Sequence, residues 1–370
     1  MSTNKQSPVS RPLRVAVDIM GGDHAPDAIL KGCVAALADL RPGDKLVFVG
    51  RGPVIRESLE ERGIDYRTDA RIEIVDAEQV IEMGDPAKLV RVKTDSSITR
   101  AHQLGSIRAA GQRCDVVLSA GNTAACVMAA TLFMGRLDHV MRPGIAVTVP
   151  AFHGPLILID AGANPDPKPE HLWQYGVMAD VMARQVLGIA NPRVGLMNIG
   201  SEEAKGTDVI KQTRDLLKAT PGLNYIGYVE GRDFFEGVAD VVVTDGLVGN
   251  TLLKAAEGMA KSLFKAIAAE LMEYDPTLVT QFEPVVKRIY AKNDYHEHGG
   301  APLLGIDGAC IIAHGSSEAR TIRAAIRNSL NFVRMGVNAE IARRLGELEA
   351  MNIPEQVRLA GEQPAEGVQV

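Results

Sequence analysis

The sequence predicts an α/β protein: a three-layer α/β/α, Rossmann-like body around a mostly parallel sheet, with a helical pair protruding from its C-terminal half. Seven short apolar runs carry this expectation: VAVDIMGGD, VVLSAGNT, LILIDAGAN, VGLMNIGSEE, YIGYVEGRD, VVVTDGLVGN and CIIAHGSS. Their Val, Ile and Leu are nearly continuous, as in strands whose two faces are both covered by helices. Each run stops at glycine and a small polar or acidic residue. Segments of helical periodicity separate most of them. In parallel sheets the carboxyl ends of the strands line a crevice where ligands bind, so the seven endings predict one extended site.

In chain order, a strand at 14–19 leads through MGGDHAPD into a helix over 27–40. KLVFVG is a strand, VIRESLEERG a helix and RIEIVDAE a strand. The segment MGDPAKLVRVKTDSS reads as a loop or broken helix. A helix is expected over 97–112, then the strand DVVLSAG and the helix NTAACVMAATLFMG. IAVTVP and PLILIDAG form a hairpin about His153-Gly154-Pro155, whose residues favour a turn. Prolines in DPKPE suit the start of the next helix. Alternation resumes with VGLMNIG, a helix over 207–218, NYIGYVEG and DVVVTDG. Long helical stretches cover 251–273 and about 280–292. GGAPLLGIDGACIIAHGSS and one helix from Ser317 to about Leu345 close the body. The domain expectation is a tail over 1–12, a single catalytic body over 13–346 and a tail over 347–370.

With 370 residues, 46% hydrophobic and 23% charged, the chain has the composition of an ordinary globular protein with a substantial core. A formal net charge of −6 argues against general nucleic-acid binding. No run approaches the ~20 apolar residues that span a bilayer, and MSTNKQSPVSRP lacks a signal-peptide core, so a cytoplasmic location is expected. Cys33, Cys114, Cys126 and Cys310 sit singly in apolar patterns and read as small buried hydrophobes, not a disulfide or metal set.

Several familiar chemistries are missing. There is no GxxxxGK[ST] and no GxSxG. VGRGPVIRE has Gly50 and Gly52 but Ile55 at the third glycine position, which disfavours NAD. His296 and His298, beside Asp294 and Glu297, read as a solvated turn; no metal and no cofactor is expected. What is present suits an anion and a carbonyl. Lys205, in NIGSEEAKG, stands where a loop meets a helix start, a sound place for phosphate. Asn250 ends VVVTDGLVGN at the next helix N-cap, and Asn122 and Asn164 repeat that arrangement. One such asparagine is simple capping; three on one sheet edge favour a shared site. Lys88, Arg91 and Lys93 are either a solvated face or a lip for phosphate.

The ordered set MGGDHAP, SAGNT, DAGAN, NIGSEEAKG, VEGRD, VVVTDGLVGN, GGAPLLG and HGSS resembles the bacterial phosphate acyltransferase family from about Val15 to Leu330. The resemblance implies transfer of a fatty acyl group from acyl carrier protein to inorganic phosphate, giving acyl phosphate for phospholipid synthesis. It implies Lys205 and Asn250 as the catalytic pair. The accompanying substrate and phosphate residues are Gly21, Gly22, Asp23, Asn122, Thr123, Asn164, Gly200, Ser201, Glu203, Asp245, Gly246, Gly249 and Lys93. Phosphate arrives already charged and a thiolate leaves readily, so the reaction needs positioning and oxyanion donors, not a triad.

The stripe Leu252, Ala256, Met259, Leu263, Ile267 and Leu271 has helical spacing and reads as core or dimer seam. Alternatively, the pair is an exposed hairpin whose apolar tip meets membrane, with Lys254, Lys261, Lys265, Lys287 and Arg288 docking the acidic carrier. The resemblance implies a homodimer, attached peripherally to the inner face of the cell membrane. Its product would pass to a membrane glycerol-3-phosphate acyltransferase. Two other readings stay open: a phosphotransacetylase-like enzyme using acyl-coenzyme A, and a non-catalytic acyl-carrier or lipid-binding regulator.

Overall fold

Most of the expected apolar runs are strands buried on both faces, while NYIGYV, at the margin of the sheet, is half-buried with Ile226 exposed. The computed structural model describes residues 9–292 and 299–362; the histidine cluster at 294–298, residues 1–8 of the expected N-terminal tail and 363–370 of the C-terminal one lie outside them. The strands are β1 (Arg14–Asp18), β2 (Lys45–Gly50), β3 (Ile72–Asp76), β4 (Val116–Ser119), β5 (Gly144–Ala151), β6 (Gly154–Ile159), β7 (Arg193–Met197), β8 (Asn224–Val229), β9 (Val241–Val243), β10 (Ala301–Leu304) and β11 (Ala309–Ile312). Helices α1 (Asp27–Ala36), α2 (Gly52–Glu61), α3 (Ser97–Gly105) and α4 (Thr123–Ala129) belong to the first half. The second half carries α5 (Pro169–Val186), α6 (Asp208–Ala219), α7 (Gly246–Tyr274) and α8 (Pro276–Lys292), then α9 (Ala319–Arg334), α10 (Val337–Ala350) and α11 (Ile353–Glu362).

One sheet runs in the order β3-β2-β1-β4-β11-β10-β5-β6-β9-β7-β8. Its pairings are parallel except β11 with β10, β10 with β5, and β5 with β6. The sheet is mostly parallel, as expected. Three reversals in succession nevertheless leave β6, β9, β7 and β8 running opposite to β3, β2, β1, β4 and β11. Strand directions are therefore two-fold symmetric about the β10/β5 boundary. The seven glycine-polar endings accordingly fall on two opposite edges, not one. MGGD, SAGNT and HGSS lie at the first edge; DAGAN, NIGSEE, VEGRD and TDGLVGN lie at the second.

Side chains alternate between the two helical layers. Val15 and Val17 of β1 join Leu46 and Phe48 of β2 in a core with α1, α5 and α9, supplied by Ile29, Trp173 and Ile326. Ala16, Val47 and Val49 face the other layer, with Ile98 of α3 and Cys126 of α4. The α7–α8 pair projects: in α7 only Gly246 and Gly249 are buried.

Several helices are shorter or more broken than their periodicity suggests. The 97–112 helix ends at Gly105 and continues as a 3-10 turn. The expected single helix from Ser317 divides at Gly336, whose φ of 71° is left-handed. The expected tail from 347 is helical through Glu362 in its described part, because Leu348 and Ile353 bury themselves in the main core.

Asp44, buried, joins distant segments: it accepts the Leu13 and Arg41 N–H groups at 2.9 Å each and pairs with buried Arg334. Asp44→Ala strands that guanidinium and is expected to cost ~3–5 kcal/mol, read as a lower urea midpoint.

Candidate active site

At the second edge, β6, β9 and β7 are neighbours, with Ile159 and Leu196 both in register with Val243. Their loops therefore emerge side by side, ~4.8 Å apart. Asp160, the first residue beyond β6, is buried and organises the DAGAN loop. Its carboxylate accepts N–H groups from Ile145 (2.9 Å), Gly162 (3.1 Å), Ala163 (3.0 Å) and Asn164 (2.6 Å). Burial pushes its pKa up, while these backbone donors pull the other way.

Asn164 is a tie and not the helix cap expected. Its Nδ2 donates to the Pro143 carbonyl at 2.7 Å and to Tyr175 Oη at 2.6 Å, and its carbonyl accepts the Gly246 N–H at 2.8 Å. The first turn of α7 thereby packs against the DAGAN loop backbone to backbone. A Cβ at Gly246 would stand 2.8 Å from the Asn164 oxygen, and one at Gly249 only 2.0 Å from the Asp160 carbonyl. These two glycines are required by close approach.

The cap of α7 is Asp245, whose Oδ1 accepts the Val248 N–H at 2.8 Å. Asn250, expected as the cap, lies instead as the fifth residue of the helix. It is exposed, touches the position of Gly162, and makes no side-chain hydrogen bond among the described residues. On β7's loop, Asn198 Nδ2 donates to the carbonyls of Gly200 (3.1 Å) and Lys205 (3.3 Å), closing the NIGSEEAKG loop. The Lys205 side chain lies over Gly200, and its Nζ pairs with Glu202 Oε1 at 2.8 Å. That contact lowers the Glu202 pKa. Ser201 is exposed, and Glu203 turns to Lys218.

Gly21, Gly22, Asp23, Asn122, Thr123 and Lys93 stand at the first edge. β1 and β7 are seven places apart in the sheet order, ~34 Å at the usual strand spacing. The single crevice expected from the sequence is thus not formed along one edge. Asn122 is a cap, accepting Ala125 N–H at 3.0 Å, and its Nδ2 donates to the carbonyls of Glu82, Met83 and Asp85. Lys93 is no free lip residue: it holds the Val80 carbonyl at 2.7 Å and Asp85 at 2.9 Å. The Asp23 N–H donates to the Gly315 carbonyl at 2.8 Å, joining MGGD to HGSS. Asp18, at the end of β1, accepts from Ser119 Oγ at 2.7 Å and Met20 N–H at 3.1 Å; burial pushes its pKa up.

Asp18, Asp160 and Asn198 were not among the residues that the sequence singled out. Their signal was available as the polar residue directly after an apolar run.

Lys254, Lys261, Lys265 and Arg288 are exposed on the projecting pair; the Lys287 side chain lies outside the described residues. Within α7 the three lysines are balanced by Glu257, Glu270 and Glu273, so the helix has no net charge. His102 is sealed in the core with Nδ1 on the Ile98 carbonyl at 2.7 Å and Nε2 3.6 Å from Cys310 Sγ. Burial holds it down to about 4. Burial also pushes Cys114 up to about 11 and Cys126 up to about 12, and raises Cys33 and Cys310, so none supplies a thiolate at neutral pH. Among the described residues no group of three or more His, Cys, Asp or Glu side chains is placed to hold a metal ion.

The same α/β arrangement occurs in phosphotransacylases. A phosphotransacetylase from Streptococcus pyogenes superposes with a TM-score of 0.56 over 89% of this chain and 96% of its own, at 12% identity. The EutD phosphotransacetylase from Staphylococcus aureus gives 0.53 over 87% and 94%, at 11% identity. These likenesses define the fold class. The family follows from sequence: residues 13–340 match the model described as "Fatty acid synthesis protein". The phosphate acyltransferase of Desulfitobacterium hafniense (strain DCB-2) is 43% identical over 343 residues, 91% of this chain and 99% of its own. That of Dictyoglomus turgidum is 40% identical over 341 residues, 91% and 98%. The chain belongs to this phosphate acyltransferase family and is an enzyme, as the ordered motifs imply.

Gly249→Ala is expected to force α7 off the DAGAN loop, lowering both the thermal midpoint and turnover at least tenfold for the latter. Gly258→Ala, in the same helix but facing open space, is expected to gain up to ~1 kcal/mol. Thermal melts of the two variants separate steric need from helix propensity.

Proposed function

We propose that this phosphate acyltransferase moves a fatty acyl group from the thioester of acyl carrier protein to inorganic phosphate, releasing acyl phosphate for phospholipid synthesis. The observation that supports it best is an exposed ammonium, Lys205, on the loop after β7, and an uncommitted amide, Asn250, in the first turns of the 29-residue helix that follows the neighbouring strand β9. Gly200, Ser201, Asp245, Gly246 and Gly249 frame the same place. A phosphate oxygen attacks the thioester carbonyl, forming a C–O bond. The tetrahedral intermediate then expels the carrier thiolate with the electron pair of the broken C–S bond. Lys205 exchanges Glu202 for phosphate, and Asn250 Nδ2 donates to the developing oxyanion. The absence of a usable thiolate among the four cysteines supports direct attack over an acyl-cysteine intermediate.

In this reading the enzyme is a homodimer working at the cytoplasmic face of the membrane, delivering acyl phosphate to a membrane glycerol-3-phosphate acyltransferase. Among the described residues no helix is long and apolar enough to cross a bilayer. The proposed contact is peripheral, through exposed Met272, Tyr274 and Phe282 where α7 meets α8. Lys254, Lys261, Lys265, Lys287 and Arg288 serve the acidic carrier.

Lys205→Ala and Asn250→Ala are expected to lower kcat/KM by ~10²–10³ with unchanged thermal midpoints, since both side chains are exposed. The assay uses palmitoyl-acyl carrier protein and labelled phosphate, with acyl phosphate trapped as hydroxamate; turnover within threefold of wild type removes either residue from the mechanism. In flotation, the protein is expected to rise with phosphatidylglycerol-containing vesicles, and Tyr274→Ser/Phe282→Ser to stay behind. Equal flotation of both excludes that tip.

A further inference from the structure

The loop that carries Lys205 and the start of α7 that carries Asn250 also hold out three large apolar side chains. Ile199 is 81% exposed, Leu247 63% and Val248 42%. Single exposed apolar residues are ordinary, but a group of them on adjoining elements marks a binding surface. The adjoining position follows from register. Leu196 pairs with Val243, so Ile199 and Gly246 stand three residues past paired positions on neighbouring strands. Ile199 directly precedes the glycine beneath the Lys205 side chain, and Leu247 and Val248 precede Asn250 within the same helical turn.

Nothing in local folding calls for these side chains. Asp245 already caps α7, and Asn198 already closes the 200–205 loop through its amide. The apolar surface also has a direction. Val248, Leu252, Ala255 and Met259 follow one another at helical spacing along one face of α7, over ~17 Å. Leu252 closes against the small core beneath, whereas Met259 is exposed.

We propose that Ile199, Leu247 and Val248 form the wall on which the acyl chain of the donor lies, with the Val248–Met259 face of α7 extending it. This wall makes chain-length preference a property of the β7 loop and of α7. It rests on the acyl-transfer reading above. A saturated chain fits because the surface is apolar, continuous with the Lys205–Asn250 place and elongated. Each methylene laid against it is worth ~0.8 kcal/mol when fully buried, about fourfold in kcat/KM.

The test compares palmitoyl and butyryl thioesters of the same carrier protein, with labelled phosphate and hydroxylamine trapping, on the full-length enzyme. Ile199→Thr, Leu247→Ser and the double variant are measured beside Ile107→Ser, an exposed isoleucine outside these loops. The palmitoyl-to-butyryl ratio of kcat/KM is expected to fall at least tenfold in the double variant and to stay at the wild-type value in Ile107→Ser. A ratio within twofold of wild type in the double variant, or an equal fall in the control, overturns the wall. So does a change confined to oligomeric mass by light scattering, which would make the patch a contact with a second copy. If wild-type enzyme yields no hydroxamate from either donor, the acyl-transfer reading fails and the wall falls with it. Normal wild-type turnover with an unmoved ratio removes the wall alone.

Discussion

The antiparallel trio at the middle of the sheet, β10–β5–β6, governs the rest of the molecule. Each of its backbone ladders reverses strand direction, and an odd number of reversals turns the second half of the sheet upside down relative to the first. Helices α3 and α4 pack against the first group of strands and α7 against β6 of the second. The chain consequently has two edges with glycine-rich, polar strand ends instead of one. The candidate chemistry gathers at only one of them.

Each edge is organised by a buried carboxylate at the end of a strand: Asp18 closes β1 and Asp160 directly follows β6. Asp160 collects four backbone N–H groups, and Asp18 collects a hydroxyl and a backbone N–H. Burying a carboxylate is costly unless donors surround it, so each acid demands a defined loop about it. At the second edge that demand extends further. The Asp160 loop fixes Asn164, Asn164 receives the Gly246 N–H, and the start of α7 is set with it. The direction of the long projecting helix is thus traceable to one carboxylate and two glycines. Lys205 and Asn250 are left comparatively uncommitted around this rigid frame, which suits groups that must engage a substrate.

Much of the fold was legible because the strands are apolar on both faces. Val15, Ala16 and Val17 read as a continuous run since successive side chains enter two different cores. The helix breaks were less legible. Gly336 stops a helix only through its left-handed φ, and α11 forms because Ile353 finds a core that residue order does not reveal. In the site, glycine and polar residues were recognised, but their tasks were partly exchanged. Asn250 and Asn164 looked like caps; Asp245 holds the cap of α7, while Asn164 ties two loops. Lys93 looked available and is held by a carbonyl and Asp85. Such assignments depend on which backbone groups lie within hydrogen-bond reach, and spacing alone does not specify that.

By itself, the sequence determined the α/β class, the strand-end position of the polar residues, the Lys205 and Asn250 candidates and the family. Those properties are local in residue order: hydrophobic period, turn chemistry and ordered motifs. Tertiary structure decided which endings share an edge. The hairpin at His153-Gly154 was readable, yet its consequence required knowing that β10, more than 140 residues later, inserts beside β5. Strand pairing is a contact between distant segments, made by backbone groups that every residue type but proline shares in full. Its partner choice is therefore absent from local pattern and appears only when the sheet is assembled.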